Sequence, residues 1–357
     1  MPTSTRAAVD WREQFWDFEN RIYLDCANQG LFPTVALRAV QEALELKKYP
    51  ERLTNEYYFE LPAQTRAALA RLTGVRPTEI ALTSGASDGV NAVATGLPFQ
   101  PGDEILLPER EFPSNYYPWK HLERRGVRVR EVAPAAGGRF VTTDDLLAAT
   151  SERTRLVAAS FVTYDTASRL DAARLCEECR RLGIFTFLDA SQAVGSLAVD
   201  VNEIGCDFLV SCGYKWLLSP YGTGFFYLRE ELISRLEVHY IRWMALPGAR
   251  DFNRLPRPAS PESGPGWQLE PDARRWDVAE VSNFINLSAM KASVEFLLRV
   301  GVETIERHAV NLCEQLRPSR PGRPLSSRKS TRSSLMTLTC LGLPPGVNSS
   351  ERPTGSQ

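Results

Sequence analysis

The sequence predicts an α/β fold built around a mostly parallel sheet of seven strands. Short β-rich runs alternate with amphipathic helical stretches, which is typical of a sheet flanked by helices. A length of 357 residues allows one large domain with a smaller one beside it. Apolar residues make up 43% of the chain and charged residues 24%, as in ordinary soluble globular proteins.

Seven β-rich runs are predicted to be the strands of this sheet. They are Glu79–Thr83, Glu104–Leu107, Val127–Val132, Arg155–Thr163, Phe185–Asp189, Asp207–Cys212 and Gly224–Leu228. Helical spacing of apolar residues predicts two helices within 35–75 and further helices at Asp144–Ala149, Asp171–Leu182 and Leu287–Val300. Ligands of open α/β sheets bind at the carboxyl ends of the strands, so the residues that follow each strand are candidates for a functional site.

Composition disfavours several classes of function. The formal net charge of -1 argues against a nucleic-acid partner, which usually needs a basic surface. Residues 1–20 contain no apolar segment of a signal peptide, and no apolar run approaches the roughly 18 residues of a membrane helix. We therefore predict a cytoplasmic protein without membrane contact.

A metal site is not predicted. Cys176 and Cys179 form a CxxC pair within a predicted helix, but no second pair or well-placed histidine completes a ligand set. We interpret them as ordinary reduced thiols of a helix. The three histidines, His121, His239 and His308, are isolated in the sequence, which also disfavours a histidine-centred hydrolase.

The first predicted strand runs into a turn of small residues, SGASDG, which is followed by a helical pattern. Free N–H groups at a helix N-terminus and the helix dipole both favour a phosphate. Gly85, Ala86 and Ser87 are therefore candidate phosphate ligands. The alternative interpretation is that Asp88 simply caps the helix.

Three further strand ends carry a residue of interest. Phe112 follows the second strand and either packs in the core or stacks on a flat ligand. Asp189 ends an apolar strand, where a carboxylate is costly unless paired, so it either meets a protonated ring nitrogen or caps the following segment. Lys215 follows a buried strand among apolar residues, and it either extends its head to water or is a desolvated amine that forms a Schiff base.

One ligand, pyridoxal 5′-phosphate (PLP), needs all four features. Its phosphate needs an anion cradle, its ring a stacking face, its pyridinium nitrogen a carboxylate and its aldehyde a lysine. We therefore predict a PLP-dependent enzyme with Lys215 and Asp189 as catalytic residues. A nicotinamide-dependent dehydrogenase is disfavoured, because no G-x-G-x-x-G pattern follows a predicted strand.

Five stretches of the sequence resemble the class V aminotransferases of the fold-type I PLP enzymes, a family that includes cysteine desulfurases, isopenicillin N epimerase-like proteins and kynureninases. They are YLDCANQGLFP, TSGASDGVNAVATG, EREFPSNYYPW, FLDASQAVG and SCGYKWLLSPYGTGF. The resemblance extends from about Tyr23 to about Leu297. It implies a fold-type I PLP-dependent transferase with a large domain and a small domain.

The resemblance implies a role for each matching residue. Lys215 would form the Schiff base with the cofactor and later move the Cα proton, while Asp189 would keep the pyridinium nitrogen protonated. Gln192 would reach the phenolic oxygen, and Phe112 would stack on the ring. The residues expected at the phosphate are Gly85, Ala86, Ser87, Cys212 and Tyr214.

A substrate, a partner and a domain division are also implied. The substrate would be an amino acid or a related amine bound near Ala27 and Asn28, and a homodimer is expected because relatives build the site across the two-fold interface. Residues 1–34 would contribute to the small domain and the substrate site, 35–250 would form the large PLP-binding domain, and 251–315 would lead to the small domain. Residues 316–357 are expected to be an incomplete small domain or a disordered tail, in which Arg332–Pro344 resembles one strand.

Three interpretations of the activity stay open on the sequence alone. The first is a PLP-dependent transferase, lyase or epimerase of the class V type. The second is a degenerate protein that keeps the PLP fold without turnover, which the atypical C-terminal segment suggests. The third is a cysteine desulfurase-like lyase, which would need a loop cysteine that is not found in the expected motif.

Overall fold

A computed structural model describes residues 11–17, 19, 21–251 and 268–316. These residues include the predicted large domain and the two helices that follow it. The predicted tail beyond Leu316, with the strand-like segment Arg332–Pro344, lies outside the described residues. The domain boundaries therefore stay a prediction.

One sheet of seven strands organises the described residues. The strands are β1 (Ile80–Thr83), β2 (Glu104–Pro108), β3 (Arg128–Val132), β4 (Thr154–Ser160), β5 (Phe185–Asp189), β6 (Phe208–Cys212) and β7 (Gly224–Leu228). Their order along the sheet is β1-β7-β6-β5-β4-β2-β3. Strand β7 runs antiparallel to both of its neighbours, and the other pairs are parallel. The predicted α/β fold with a mostly parallel, seven-stranded sheet is confirmed.

One strand was predicted too long, whereas the bounds of the other six agree to within one residue at each end. The sequence predicted Arg155–Thr163, but β4 ends at Ser160. Beyond that point the backbone leaves the sheet, and Val162 forms an isolated antiparallel bridge with Arg169. Phe161 and Val162 extend the apolar pattern because their side chains pack in the core. Apolar residues alone therefore do not mark where a strand ends.

Helices cover both faces of the sheet. They are α1 (Thr34–Lys48), α2 (Asn55–Thr73), α3 (Ala86–Gly96), α4 (Tyr117–His121), α5 (Thr143–Ala148), α6 (Ala172–Arg181), α7 (Val201–Ile204), α8 (Glu230–Ile233), α9 (Phe284–Val300) and α10 (Val302–Leu316). Polar side chains accept hydrogen bonds from first-turn N–H groups at several helix starts, as is common there; these caps are Thr54, Asp171, Asp200 and Asn283. Among the described helices, none has both the length and the apolar character needed to cross a membrane.

Alternation of side chains along the central strands builds two apolar layers. Successive side chains of a strand point to opposite faces of the sheet. Phe187 and Phe208 therefore pack with α3 and α4, while Leu188 and Leu209 pack with α2 and α9. Because β4, β5 and β6 run parallel, the polar residues at the carboxyl ends of these strands are brought together at one edge of the sheet.

The CxxC pair lies within the core. Cys176 and Cys179 are both buried on α6. Burial raises the pKa of each thiol to about 12. Thiols of this kind stay protonated and unreactive at neutral pH, which agrees with the interpretation of ordinary helix thiols.

Candidate functional site

The carboxyl ends of the central strands open into a cavity of about 220 Å³. Every residue that the sequence predicts at the cofactor lines this cavity, although they come from four separate stretches of the chain. These residues are Gly85, Ala86, Ser87, Phe112, Asp189, Gln192, Cys212, Tyr214 and Lys215.

The turn between β1 and α3 forms one wall of the cavity. Gly85 is the N-cap of α3, and a Cβ at this position would meet no atom within 4 Å. The first N–H groups of α3, at Ala86 and Ser87, have no partner within the helix and can bind an anion. Asp88 accepts hydrogen bonds from the backbone N–H and the hydroxyl of Ser84, both at 2.7 Å. Asp88 therefore stabilises the turn, and the N–H groups of Ala86 and Ser87 still form a cradle for an anion.

Phe112 lies in the cavity wall rather than in the core. Its ring centroid is 5.0 Å from the Nζ atom of Lys215. The ring of Tyr164 meets it edge-on, with centroids 5.3 Å apart and an interplanar angle of 74°. One aromatic face of Phe112 is therefore directed at the lysine and is supported from the side.

Asp189 ends β5 with only 4% of its surface exposed. Its Oδ1 atom accepts the backbone N–H of Ser191 at 2.9 Å. Burial raises the pKa of this carboxyl, while the hydrogen bonds from Ser191 and the charge of Lys215 oppose the rise. A buried carboxylate in this position favours a positively charged partner in the cavity.

Lys215 lies in a tight turn after β6 and is 7% exposed. Its carbonyl accepts the N–H of Leu218 at 3.1 Å, and the N–H of Ser219 donates to the carbonyl of Gly213 at 2.9 Å. The Nζ atom also lies 5.9 Å from the ring centroid of Tyr214. The amine is therefore held inside the cavity by its backbone, and its head does not extend into bulk water.

The two remaining residues expected at the phosphate are fixed by their neighbours. The backbone N–H of Cys212 donates to the hydroxyl of Ser191 at 3.1 Å, and burial raises the pKa of the Cys212 thiol. The ring of Tyr214 stacks on Tyr221 at 4.0 Å with an interplanar angle of 10°. Burial also raises the pKa of Tyr214, so both side chains enter the cavity in their neutral forms.

Gln192 connects the cavity to the N-terminal loop. Its Nε2 atom donates to the carbonyl of Ala27 at 3.0 Å, and its Oε1 atom accepts the indole N–H of Trp216 at 2.7 Å. The side chain of Asn28 turns towards Asp25, to which it donates at 3.0 Å. Ala27 and Asn28 therefore lie beside the site, and neither is among the residues that line the cavity.

Sequence reasoning missed Glu111, Ser160 and Tyr164. Ser160 and Tyr164 line the cavity, and Glu111 lies behind it, 8% exposed, with hydrogen bonds to the backbone N–H and the hydroxyl of Ser160. Burial raises the pKa of Glu111 to about 7, against opposing hydrogen bonds from Ser160 and Asn115. The signal that could have found Ser160 is its position as a small polar residue at the end of an apolar strand.

Comparisons with known proteins agree on one family. The sequence model of the family described as Aminotransferase class-V matches residues 22–242. A probable cysteine desulfurase of Methanothermobacter thermautotrophicus is 29% identical over 336 residues, which cover 92% of this chain and 76% of that protein. Isopenicillin N epimerase of Streptomyces clavuligerus is 32% identical over 301 residues, covering 82% of this chain and 74% of that protein.

A solved structure with a similar fold contains a cofactor. It is a lysine-to-alanine mutant of C-DES with glycine covalently linked to its PLP. The two chains superpose with a TM-score of 0.75 and 26% sequence identity, over 86% of this chain and 79% of that one.

Proposed function

Because the chain belongs to the Aminotransferase class-V family, we propose that it is a PLP-dependent enzyme acting on an amino acid or a related amine. The family is the one predicted from the five sequence stretches, and the likeness to C-DES confirms the predicted PLP-transferase fold and indicates PLP as the cofactor. One observation carries the proposal: a single cavity combines an anion cradle, an aromatic face, a buried carboxylate and a buried lysine.

The cavity residues fit this cofactor. The N–H groups of Ala86 and Ser87 at the start of α3 suit a phosphate. Asp189 is buried and forms no ion pair within 4.0 Å among the described residues, so a protonated ring nitrogen would supply the charge it lacks. Phe112 offers a flat face next to the amine of Lys215.

Each of these side chains has a part in the proposed chemistry. When bound, PLP withdraws electrons from the Cα atom of the substrate and makes its proton acidic. Lys215 would hold the cofactor aldehyde as a Schiff base, and its amine, once released, would take the Cα proton at Nζ. The Asp189 carboxylate would retain a proton on the ring nitrogen. Burial of Lys215 excludes bulk water from the proton transfer.

A second candidate is cleavage of a C–S bond in a cysteine-type substrate. It is favoured by the similarity to a probable cysteine desulfurase and to C-DES, which a further solved structure describes as a cystine C-S lyase. Among the described residues, Cys212 lines the cavity, but its thiol is buried and its pKa is raised. Release of sulfide from cysteine, or of cysteine persulfide from cystine, would separate this reaction from amino transfer and from epimerisation.

We also propose that the protein is a cytoplasmic homodimer, with the substrate carboxylate near the loop of Ala27 and Asn28. Two aromatic side chains close to the site support a protein partner there, since Tyr164 is 46% exposed and Tyr221 is 61% exposed. Light scattering on the cofactor-loaded protein measures the oligomeric state. A monomer that keeps full cofactor affinity would contradict the dimer.

The proposed function is tested with the purified protein and PLP. We expect a yellow protein whose visible absorbance is lost on borohydride reduction, and mass spectrometry should locate the resulting adduct on Lys215. The Lys215→Ala variant is the control and should show no adduct. Amino acids are then screened for changes in the visible spectrum, with products assayed as keto acids, epimers or sulfide. A colourless protein without an adduct would refute the proposal, and a spectrum that no amino acid changes would favour a protein that binds PLP without turnover.

A further inference from the structure

Glu111 is a buried carboxylate that accepts hydrogen bonds from three residues, two of which, Phe112 and Ser160, line the cavity. Its Oε1 atom accepts the backbone N–H of Ser160 at 2.6 Å. Its Oε2 atom accepts the hydroxyl of Ser160 at 2.7 Å, the amide of Asn115 at 3.1 Å and the backbone N–H of Phe112 at 3.3 Å. All four partner groups are donors, which suits a carboxylate because that group only accepts. Four donors that converge on one buried side chain indicate a built feature rather than a chance contact.

The first consequence concerns the aromatic ring that faces Lys215. The backbone of Phe112 is held at both ends, because its N–H donates to Glu111 and its carbonyl accepts the N–H of Asn115 at 2.8 Å. The Asn115 side chain in turn accepts the indole N–H of Trp119 at 3.0 Å, and Trp119 is completely buried. This chain of hydrogen bonds anchors the position of the Phe112 ring to the hydrophobic core.

The second consequence concerns the floor of the cavity beside Asp189. Ser160 ends β4 directly opposite Asp189 in the strand register. Because both the N–H and the O–H of Ser160 are directed at Glu111, the hydroxyl proton is unavailable to Asp189. Ser160 therefore presents only oxygen lone pairs to the cavity, and the Asp189 carboxylate stays free to accept a hydrogen bond from a ligand.

We propose that Glu111 is a positioning residue of the cofactor site, which fixes the stacking ring through Phe112 and the hydroxyl of Ser160 beside Asp189. The inference rests on the proposed function, since the group that Phe112 and Asp189 would contact is the PLP ring. Glu111 itself does not line the cavity, so it acts through these two neighbours.

The test compares Glu111→Gln with Glu109→Gln in the full chain. The first substitution keeps the shape of the side chain but replaces one acceptor oxygen with a donor that faces other donors. Glu109 is exposed and lies two residues away, so its substitution removes the same charge without touching the network. The dissociation constant for PLP would be measured by titration of the visible absorbance. The visible circular dichroism per bound cofactor would be measured as well, because it depends on the orientation of the cofactor ring in the site.

Glu111→Gln is expected to bind PLP about tenfold more weakly, the effect of leaving a buried donor without its acceptor. It should also show reduced dichroism per bound cofactor. Glu109→Gln should match the wild type in both measurements. Ser160→Ala removes one of the four bonds and should shift both measurements in the same direction by less; it decides the question if Glu111→Gln does not fold.

Two results would overturn the proposal, and they are distinguishable. If the wild type binds PLP and Glu111→Gln matches Glu109→Gln in affinity and dichroism, Glu111 has no positioning role even if the variant melts at a lower temperature. If the wild type itself does not bind PLP, the proposed function fails first, and this inference fails with it.

Discussion

Gly30 lies where the N-terminal loop passes closest to the turn of Lys215, and Gly30→Ala should disturb both. The N–H of Gly30 donates to the carbonyl of Tyr214 at 2.8 Å. A Cβ at this position would overlap the carbonyl oxygen of Lys215 and lie 2.9 Å from its carbonyl carbon and 3.1 Å from the side chain of Leu218. Two of these three obstacles are backbone atoms, which cannot rotate away.

The expected cost follows from these contacts. Forcing an extra methyl group into a packed region costs about 1–3 kcal/mol. Separating the loop from the turn would also break the bond from Gly30 to Tyr214, which contributes about 1 kcal/mol. The free energy of unfolding should therefore fall by about 2–4 kcal/mol. Because the displaced carbonyl belongs to Lys215, the affinity for PLP should fall as well.

Urea unfolding followed by tryptophan fluorescence measures the first effect, and titration of the visible absorbance with PLP measures the second. Gly85→Ala is the matched control for stability, since its Cβ would meet no atom within 4 Å. That variant should unfold like the wild type but bind PLP more weakly, because the new methyl group enters the anion cradle. A Gly30→Ala variant with the urea midpoint and the PLP affinity of the wild type would refute this close approach of the loop to the turn.

Three further predictions follow from buried charges. Asp277→Ala should lower the free energy of unfolding, measured in urea, by about 3–5 kcal/mol. The reason is that the buried guanidinium of Arg66 would lose the carboxylate that it contacts at 2.8 and 2.9 Å. A loss below about 1 kcal/mol, the value of an exposed ion pair, would contradict this prediction. Asp189→Asn should weaken PLP binding about tenfold or more. The apoprotein should stay at least as stable near neutral pH, because burial, which raises the pKa of Asp189, already disfavours the charged carboxylate. Reduced apoprotein stability together with normal PLP affinity would contradict this prediction. The pKa of Glu111, about 7 against an ordinary 4.5, means that its contribution to stability is complete below pH 4.5 and is lost as the pH rises through 7. In the wild type that loss amounts to about 3 kcal/mol of unfolding free energy between pH 4.5 and 7. Urea unfolding at both pH values measures it, and the Glu111→Gln variant should lack this part of the pH dependence.

The strands of the central sheet could be predicted because buried parallel strands are continuous apolar runs. The exception is the end of β4, where Phe161 and Val162 stay apolar although the backbone has left the sheet. An apolar run indicates that a segment is buried, and a buried segment need not be a strand. The position of that end nevertheless matters, because it places Ser160 at the cavity.

The cavity residues could be predicted because each follows or ends a strand, and parallel strands bring their carboxyl ends to the same edge. Glu111 could not be found in this way. It lies in the polar stretch PEREF, where a glutamate is normally solvated, and only the packing of that stretch against the end of β4 buries it.

The sequence by itself determined the order of strands and helices, the residues at the strand ends and, through their combination, the cofactor and the family. These are local properties, since each depends on a short run of neighbouring residues. The tertiary structure alone decided which distant groups meet: Gly30 against the carbonyl of Lys215, and Glu111 against Ser160, 49 residues further along the chain. Such contacts depend on the path of the backbone in space, because hydrogen bonds and steric overlap act over a few ångströms, whatever the separation in sequence.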